Sequence, residues 1–370
     1  MPDSNGSAAP GLEPVVDVVI AVHTPQRPVR RAVASILEHT DAPVRVTVVV
    51  HNTDPEPIRE ALSEFATDGR LRIEPFVDGI PSPAGPMNRG LELATAEFTS
   101  LLGSDDEFAP HAIDRWLAEQ RRSGAAAIIA RIDYADGPIA PQPPVRPFAR
   151  GVRHPVRDRL LYRSAPLGLI SRARFGDLRL REGFPTGEDL AYSALVWTSG
   201  APVVFAGSFA GYIVNRDGDD RVTATRRPLA ADLASVRDLA TAPFLAELDG
   251  GVRAALAVKL LRVQVLGSLA PRGSSSSALS RDDAEFLSGL LGELRALGPT
   301  AESRLSIAER ALLEAAQTSD GARFATATAD WSRKFTPRGA LTRNPLLWFS
   351  AQGPLRYGIA SMIVGRRGGR

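Results

Sequence analysis

Two runs dominated by β-branched residues, Val15–Val22 and Val44–Val50, constrain the fold of this chain most. Such runs lack the alternation of a half-exposed strand and suit strands buried on both faces of a parallel sheet. Asp17 is the one polar interruption of the first run. Pro25 and Pro28 stop it, and Val29, Val33, Ile36 and Leu37 then fall at helical spacing, which predicts a helix over Val29–Glu38. The alternation continues with a helix Pro57–Phe65, a strand Leu71–Phe76, a helix Met87–Ala96, a strand Phe98–Leu102, a helix Pro110–Arg122 and a strand Ala125–Ile132. This order predicts an α/β fold with a doubly wound, mostly parallel sheet.

In such sheets ligands bind beyond the carboxyl ends of the strands. Three polar clusters fall at such ends: His23-Thr24, His51-Asn52-Thr53-Asp54 and Ser104-Asp105-Asp106. A site is expected where they converge.

After this alternation comes a proline-rich loop, Gly137–Pro147, and an arginine cluster, Arg150, Arg153, Arg157, Arg159 and Arg163. The cluster reads as an anion site, for an acceptor or a lipid phosphate, or as a solvated face. A late strand is expected over Phe205–Val214. From Pro228 the texture is rich in Ala and Leu, with helices expected at Leu229–Leu239, Val252–Leu269, Asp282–Leu297 and Leu305–Ala316, broken by Gly273–Ser277. The 370 residues thus divide into a polar leader (1–14), an α/β domain (15–227), a helical region (228–337) and a basic, amphipathic tail (338–370) without an acid. The tail reads first as packed on the protein, and otherwise as a self-association contact or a peripheral contact with an anionic membrane surface.

Lys+Arg number 44 against 42 Asp+Glu, a balance that argues against nucleic acid as the partner. The absence of cysteine excludes disulfides and thiolate metal sites. The leader lacks the pattern of a signal peptide, and no run of about 18 apolar residues suggests a spanning helix. A cytoplasmic protein, peripheral to a membrane at most, is the expectation.

Val22–Arg27 holds no glycine, so neither a dinucleotide fingerprint nor a P-loop follows the first strand. A nucleotidyltransferase, which wants a glycine-rich basic loop there, ranks low for the same reason. Two acidic motifs remain: Gly103-Ser104-Asp105-Asp106 after a strand, and Gly187-Glu188-Asp189 before an apolar helix. Hard oxygen ligands at a strand end suit Mg²⁺ or Mn²⁺ on a diphosphate. A carboxylate pair elsewhere suits proton abstraction from a hydroxyl. The competing readings are a solvated turn or the N-cap of the Pro110 helix for the first motif, and helix capping with acids complementing the helix dipole for the second.

The ordered pieces Val15–Val22, Pro86-Met87-Asn88-Arg89-Gly90, Leu101–Asp106, Asp177–Leu195, Tyr212–Asn215 and Arg221-Val222-Thr223 resemble family 2 glycosyltransferases, which have the GT-A fold. The resemblance implies an inverting transfer from a nucleotide sugar, a UDP-sugar first, to an acceptor hydroxyl, with Mn²⁺ or Mg²⁺, in cell-envelope polysaccharide, glycolipid or glycoconjugate synthesis. It implies Asp105 as metal ligand, Asp189 as general base and Glu188 as its support or as an acceptor contact. Ala21, His23, Thr24, Asn52, Asp54, Asn88, Ser104 and Asp106 would border the donor; Arg216 and Arg221 are candidates to help hold its diphosphate, with ordinary surface arginines as the first alternative. This chain departs from the family pattern at Gly103, where an Asp is common, at His51-Asn52, where an Asp pair is usual, and at Asn215, where some members have a histidine. These departures rest the metal on Asp105 and keep a non-catalytic, glycosyltransferase-like binding protein as the alternative.

Overall fold

The computed structural model describes residues 13–137, 140–216, 227–274 and 277–366. The leader through residue 12 and the site candidate Arg221 lie outside the described residues.

Strands β1 (Val16–Val22), β2 (Val44–His51), β3 (Leu71–Phe76), β4 (Phe98–Gly103), β6 (Ala127–Ala130), β8 (Gly168–Ser171) and β9 (Val203–Ala206) form one seven-stranded sheet. Its order is β3-β2-β1-β4-β8-β6-β9, with β8 antiparallel to its neighbours. β5 (Glu107–Phe108), β7 (Ile132–Tyr134) and β10 (Tyr212–Val214) form a second, three-stranded sheet in the order β5-β10-β7. Sequence and structure agree on β1 to β4 to within a residue or two.

Helices cover both faces. α1 (Val29–Leu37), α2 (Glu56–Ala61) and α4 (Ala112–Ser123) share a core with Val16, Val18, Ile20, Val46 and Val48. α3 (Ala84–Leu93), α5 (Arg172–Phe175) and α6 (Leu190–Thr198) pack on the opposite face against Val19, Val49 and Ile129. Both faces of β1 and β2 are therefore buried, which is why their sequences do not alternate. Gly90 lets α3 approach β1 closely, because a Cβ there would lie 2.2 Å from Val19 Cγ1. Buried Asp17 accepts two bonds from Arg45, at 2.6 and 2.9 Å, and two backbone N–H bonds from Thr95 and Ala96. The polar residue in the first strand thus ties β1 to β2 and to the turn before β4.

Three expectations change. The strand expected over Phe205–Val214 divides between two sheets as β9 and β10. The strand expected over Ala125–Ile132 divides at Arg131, whose carbonyl accepts from the N–H groups of Gly211 and Tyr212. α3 begins at Ala84 rather than Met87, because Pro86 falls in its first turn, where its missing N–H costs no helix bond.

The C-terminal region is helical. Gly250–Lys259, a π-type stretch Leu260–Val265 and Leu266–Gly273 run as one continuous helix. It is long and apolar enough to cross a membrane by length and composition, contrary to the expectation that no such segment exists. It serves instead as a core helix: Leu256, Leu260, Leu261 and Leu266 pack with Leu287, Leu290, Leu312 and α6 residues Leu190, Ala191 and Ala194. Buried Arg262 ties it to Glu309 at 2.8 Å, to the Tyr162 hydroxyl at 2.7 Å and to the Gln352 carbonyl at 3.1 Å. Much of the tail docks on the body: Arg343 grips Glu314 through two bonds of 2.7 Å, and Val364 joins the core over β6 and β9. Leu346 and Phe349 remain 90% and 70% exposed.

Candidate active site

Register brings the strand ends together. Val22 on β1 pairs with Val50 on β2, and Ala21 pairs with Gly103 on β4. The chain leaves all three strands at one edge and lines a cavity of about 1040 Å³ there. Ala21, His23, Asn52, Asp54, Ser104 and Asp105 line it. Val77, Pro81, Pro83, Pro86 and Met87 supply an apolar wall. Thr24 sits beside His23, outside the cavity lining, half-buried.

The polar groups form pairs that no local pattern announces. Arg27 donates to the Asp105 carboxylate, and Arg31 to the Asp105 carbonyl. Arg27 and Asp105 are only 11% and 18% exposed, so the ion pair sits partly out of water at the cavity edge. His51 stacks on Phe76 and its Nε2 lies 2.8 Å from Asp78 Oδ1. Asn52, in the left-handed region at φ 55°, accepts from the N–H groups of Asp78 (3.1 Å) and Gly79 (3.0 Å) and donates to the Ile80 carbonyl. Its side chain holds the loop that forms the cavity wall, so it frames the site rather than facing a donor.

Three other candidates, Asp106, Asn88 and Arg216, bond to partners within the protein. Asp106 accepts from the Tyr212 hydroxyl at 2.7 Å and from the Asn215 N–H at 3.1 Å. Burial, and then the Asp106 carboxylate, hold the Tyr212 phenol far above its ordinary pKa, so it stays a donor to Asp106. Asn215, at the position where a histidine ligand was considered, thereby anchors Asp106. Asn88 is buried and uses its amide on Leu180 N–H and C=O and on Glu182. Arg216 grips Asp136 through four contacts of 2.6 to 3.1 Å and lies over the Tyr134 ring. A Cβ at Gly103 would come within 2.9 Å of Asp106 Oδ2 and 3.3 Å of the Tyr212 hydroxyl, so the Asp106–Tyr212 pair fills the space of an acid there.

The second motif adjoins the cavity wall. Ser82, which lines the cavity, donates to the Phe184 carbonyl at 3.1 Å. Gly187 then turns at φ 79°, with Ser235 so close that a Cβ would lie 2.3 Å from its hydroxyl. Glu188 and Asp189 follow, both half-buried, and Asp189 opens α6 without capping it through its side chain. The Asp189 carboxyl therefore does not serve as a capping acceptor, although it stands at the positive end of the helix dipole. Burial, then the neighbouring Glu188, push that carboxyl up to about 7, against the pull of Lys259. Burial raises Glu188 as well. Lys259, buried in the C-terminal helix, is itself pulled down to about 8 by burial, with Asp189 opposing. One signal could have found it: the chain has two lysines, Lys259 and Lys334, and Lys259 interrupts an apolar helix.

A group that could hold a metal, Asp41, His111 and Asp114, lies elsewhere. Asp41 precedes β2 at the end opposite the cavity, an eight-residue strand away, roughly 25 Å. It serves no ligand in the cavity. The cavity lining carries two carboxylates, Asp54 and Asp105, and one carboxylate plus substrate phosphates is a set that Mg²⁺ accepts.

Comparison with known proteins agrees with this architecture. The solved structure of S. aureus TarS 1–349 in complex with UDP-GlcNAc superposes with a TM-score of 0.70 at 15% identity, covering 86% of this chain and 91% of that one. The complex of the same protein with UDP gives 0.67 at 17% identity, with the same coverages. Longer TarS gives 0.67 at 15% identity, covering 85% of this chain and 55% of that one. The shared fold is GT-A-like with a helical C-terminal region. No curated protein sequence matches the chain. The model of glycosyl transferase family 2 matches residues 17–183, a span that includes the three strand ends and the approach to Gly187-Glu188-Asp189. By this match residues 17–183 are similar to the glycosyl transferase family 2 domain, on a fold of the GT-A type.

Proposed function

We propose that the protein transfers a sugar from a nucleoside-diphosphate sugar to an acceptor hydroxyl, with inversion, and that Asp189 is the general base. The observation that carries this reading is the Asp189 carboxyl, poised near 7 on a segment bonded to the wall of a large cavity. A base of that pKa takes a proton at neutral pH without being trapped as its conjugate acid. Inversion follows if the hydroxyl it activates attacks the sugar carbon directly, on the side away from the diphosphate. The donor's nucleoside would lie along the apolar wall between Val77 and Met87, and its diphosphate at Asp105 and Arg27. A divalent ion on Asp105 would supply charge neutralisation for the departing diphosphate. Arg27 supplies positive charge at the same place from the chain itself. A UDP-sugar is the first donor to test, since UDP-GlcNAc and UDP are what the similar TarS structures hold. The setting would be glycoconjugate or envelope glycan synthesis.

The closing of Arg27 on Asp105 favours one other reading, a protein that binds the nucleotide sugar without turning it over. Turnover separates the two. Asp189→Asn should lose 10²-fold or more in transfer while keeping the thermal shift given by the donor. Unchanged turnover would remove Asp189 from the role of base. Donor binding by the wild type without transfer to any acceptor or to water would establish the binding reading.

A further inference from the structure

At the far edge of the main sheet lies a second cavity, of about 610 Å³. It is walled by β9, α4, the segment from Val145 to Arg153 and Ile363-Val364 of the last helix. Four strand spacings of about 4.8 Å separate β9 from β1, so it lies roughly 19 Å from the donor cavity. Five arginines line it, Arg115, Arg122, Arg146, Arg150 and Arg153, against one acid, Glu119.

Two of these charges are answered within the protein. Arg122 pairs with Glu119 at 2.5 Å, and Arg146 forks onto Asp158 at 2.9 and 3.0 Å. Arg115 lies over the Phe209 ring, which leaves its charge uncompensated by an acid among the described residues. Arg150 is exposed and has no acidic partner among them. Arg153 is the most telling. Its N–H is fixed to the Val203 carbonyl at 2.7 Å, and Val152 pairs with Val204, so its backbone is part of the sheet edge. Its Nε and Nη1 are enclosed and bond to nothing. Burial pulls this guanidinium below its ordinary range, against the opposing charge of Asp158. An enclosed polar group left without a partner destabilises the fold unless a ligand satisfies it. A guanidinium offers a planar fork that fits two oxygens of one phosphate.

We infer that this cavity is a phosphate-binding site, with Arg153 as its floor and Arg115 and Arg150 at its rim. The ligand class is a phosphate mono- or diester. It is separate from the donor cavity and does not depend on the sugar-transfer reading. The phosphate has two sources to distinguish, a soluble phosphorylated compound or a lipid headgroup. The wall helix exposes Ile359 and Met362, 44% and 40%, beside Ile363 and Val364, which gives a lipid source a physical basis.

The test uses the full chain and two probes, inorganic phosphate by calorimetry and phosphatidylglycerol vesicles by co-sedimentation, with phosphatidylcholine vesicles as the uncharged control. Phosphate binding should weaken tenfold or more in Arg153→Gln and in Arg115→Gln/Arg150→Ser, and should persist in saturating UDP. The rim double variant keeps the test available if Arg153→Gln does not fold. Vesicle binding that depends on phosphatidylglycerol and on the same arginines assigns the lipid source; phosphate binding without it assigns a soluble one. Binding of neither probe, equal binding by wild type and variants, or displacement of phosphate by UDP overturns the inference.

Discussion

Lys259 acts on Asp189 across the junction between the C-terminal helices and the sheet. The lysine is 2% exposed and pulled down to about 8 by burial, and Asp189 is the acid whose charge opposes that fall. The same junction packs Leu190, Ala191 and Ala194 against Leu256 and Leu260, and sets Ser235 against Gly187. The helical region is thus a wall of the base's environment, and it supplies the cation that opposes the two forces raising Asp189, burial and Glu188.

The pH dependence follows. Asp189 must be ionised to accept a proton, so kcat/KM should rise with pH through about 7. The limb belongs to the Glu188–Asp189 pair, since the two carboxyls titrate together. Lys259→Met removes the stabilising cation, so the limb should move to higher pH, with a loss at pH 6.5 that recovers by pH 9. Folding stability runs the other way: a carboxyl raised above its unfolded value favours the protonated fold, and that contribution is lost as pH rises through about 7. A pH–rate profile of Lys259→Met identical to that of the wild type would detach Lys259 from the base.

Asp105 is the next test. If it holds a divalent ion at the diphosphate, Asp105→Asn should cost about 10²-fold in kcat and abolish stimulation by added Mn²⁺ or Mg²⁺. Arg27→Met should leave that stimulation intact and tighten Mn²⁺ binding without donor, because it releases the carboxylate. Metal stimulation that survives in Asp105→Asn, measured as rate against metal concentration, would place the ion elsewhere.

Gly103 departs from the family pattern for a spatial reason. Asp106 is fixed by Tyr212 and by the Asn215 N–H, and its Oδ2 lies only 2.9 Å from where a Cβ at 103 would stand. Gly103→Asp should therefore lower stability by about 1–3 kcal/mol and leave Mn²⁺ affinity no better. Calorimetric unfolding with a metal titration checks both. A variant with unchanged Tm and tenfold tighter Mn²⁺ would show that the position accommodates an acid.

The strands that position the site were legible because burial on both faces leaves a local signature, as in Val44–Val50. β9 and β10 were not separable, since apolar content does not say which sheet a strand joins. α3 was clipped because Pro86 reads as a breaker, although a first turn tolerates it. At the site, spacing placed His23, Asn52 and Asp105 at one edge, which register confirmed. Which side chains face the cavity was not readable. Arg27 and Asp105 are 78 residues apart, and Asp106 and Tyr212 are 106 apart. Such pairings depend on tertiary geometry, so a polar residue at a strand end reads the same whether it will meet a ligand or lock a loop.

Asn52 shows the consequence and gives the last prediction. Its φ of 55° is a conformation that asparagine adopts more readily than most residues, and its amide satisfies two N–H groups and a carbonyl of the loop from Asp78 to Ile80. That loop, with Val77 and Pro81, makes the apolar wall of the cavity. Asn52→Ala strands those backbone groups and should cost about 1–3 kcal/mol of stability. It does not touch the base or the diphosphate end of the cavity, so donor KM should rise severalfold while kcat stays near the wild-type value. Asn52→Asp keeps the acceptor for both N–H groups but sets a charge against Asp78, so it should restore only part of the loss. Steady-state kinetics at fixed acceptor with varied donor separates the two constants, and a fall in kcat at unchanged KM would mean that Asn52 acts on the reaction rather than on the wall.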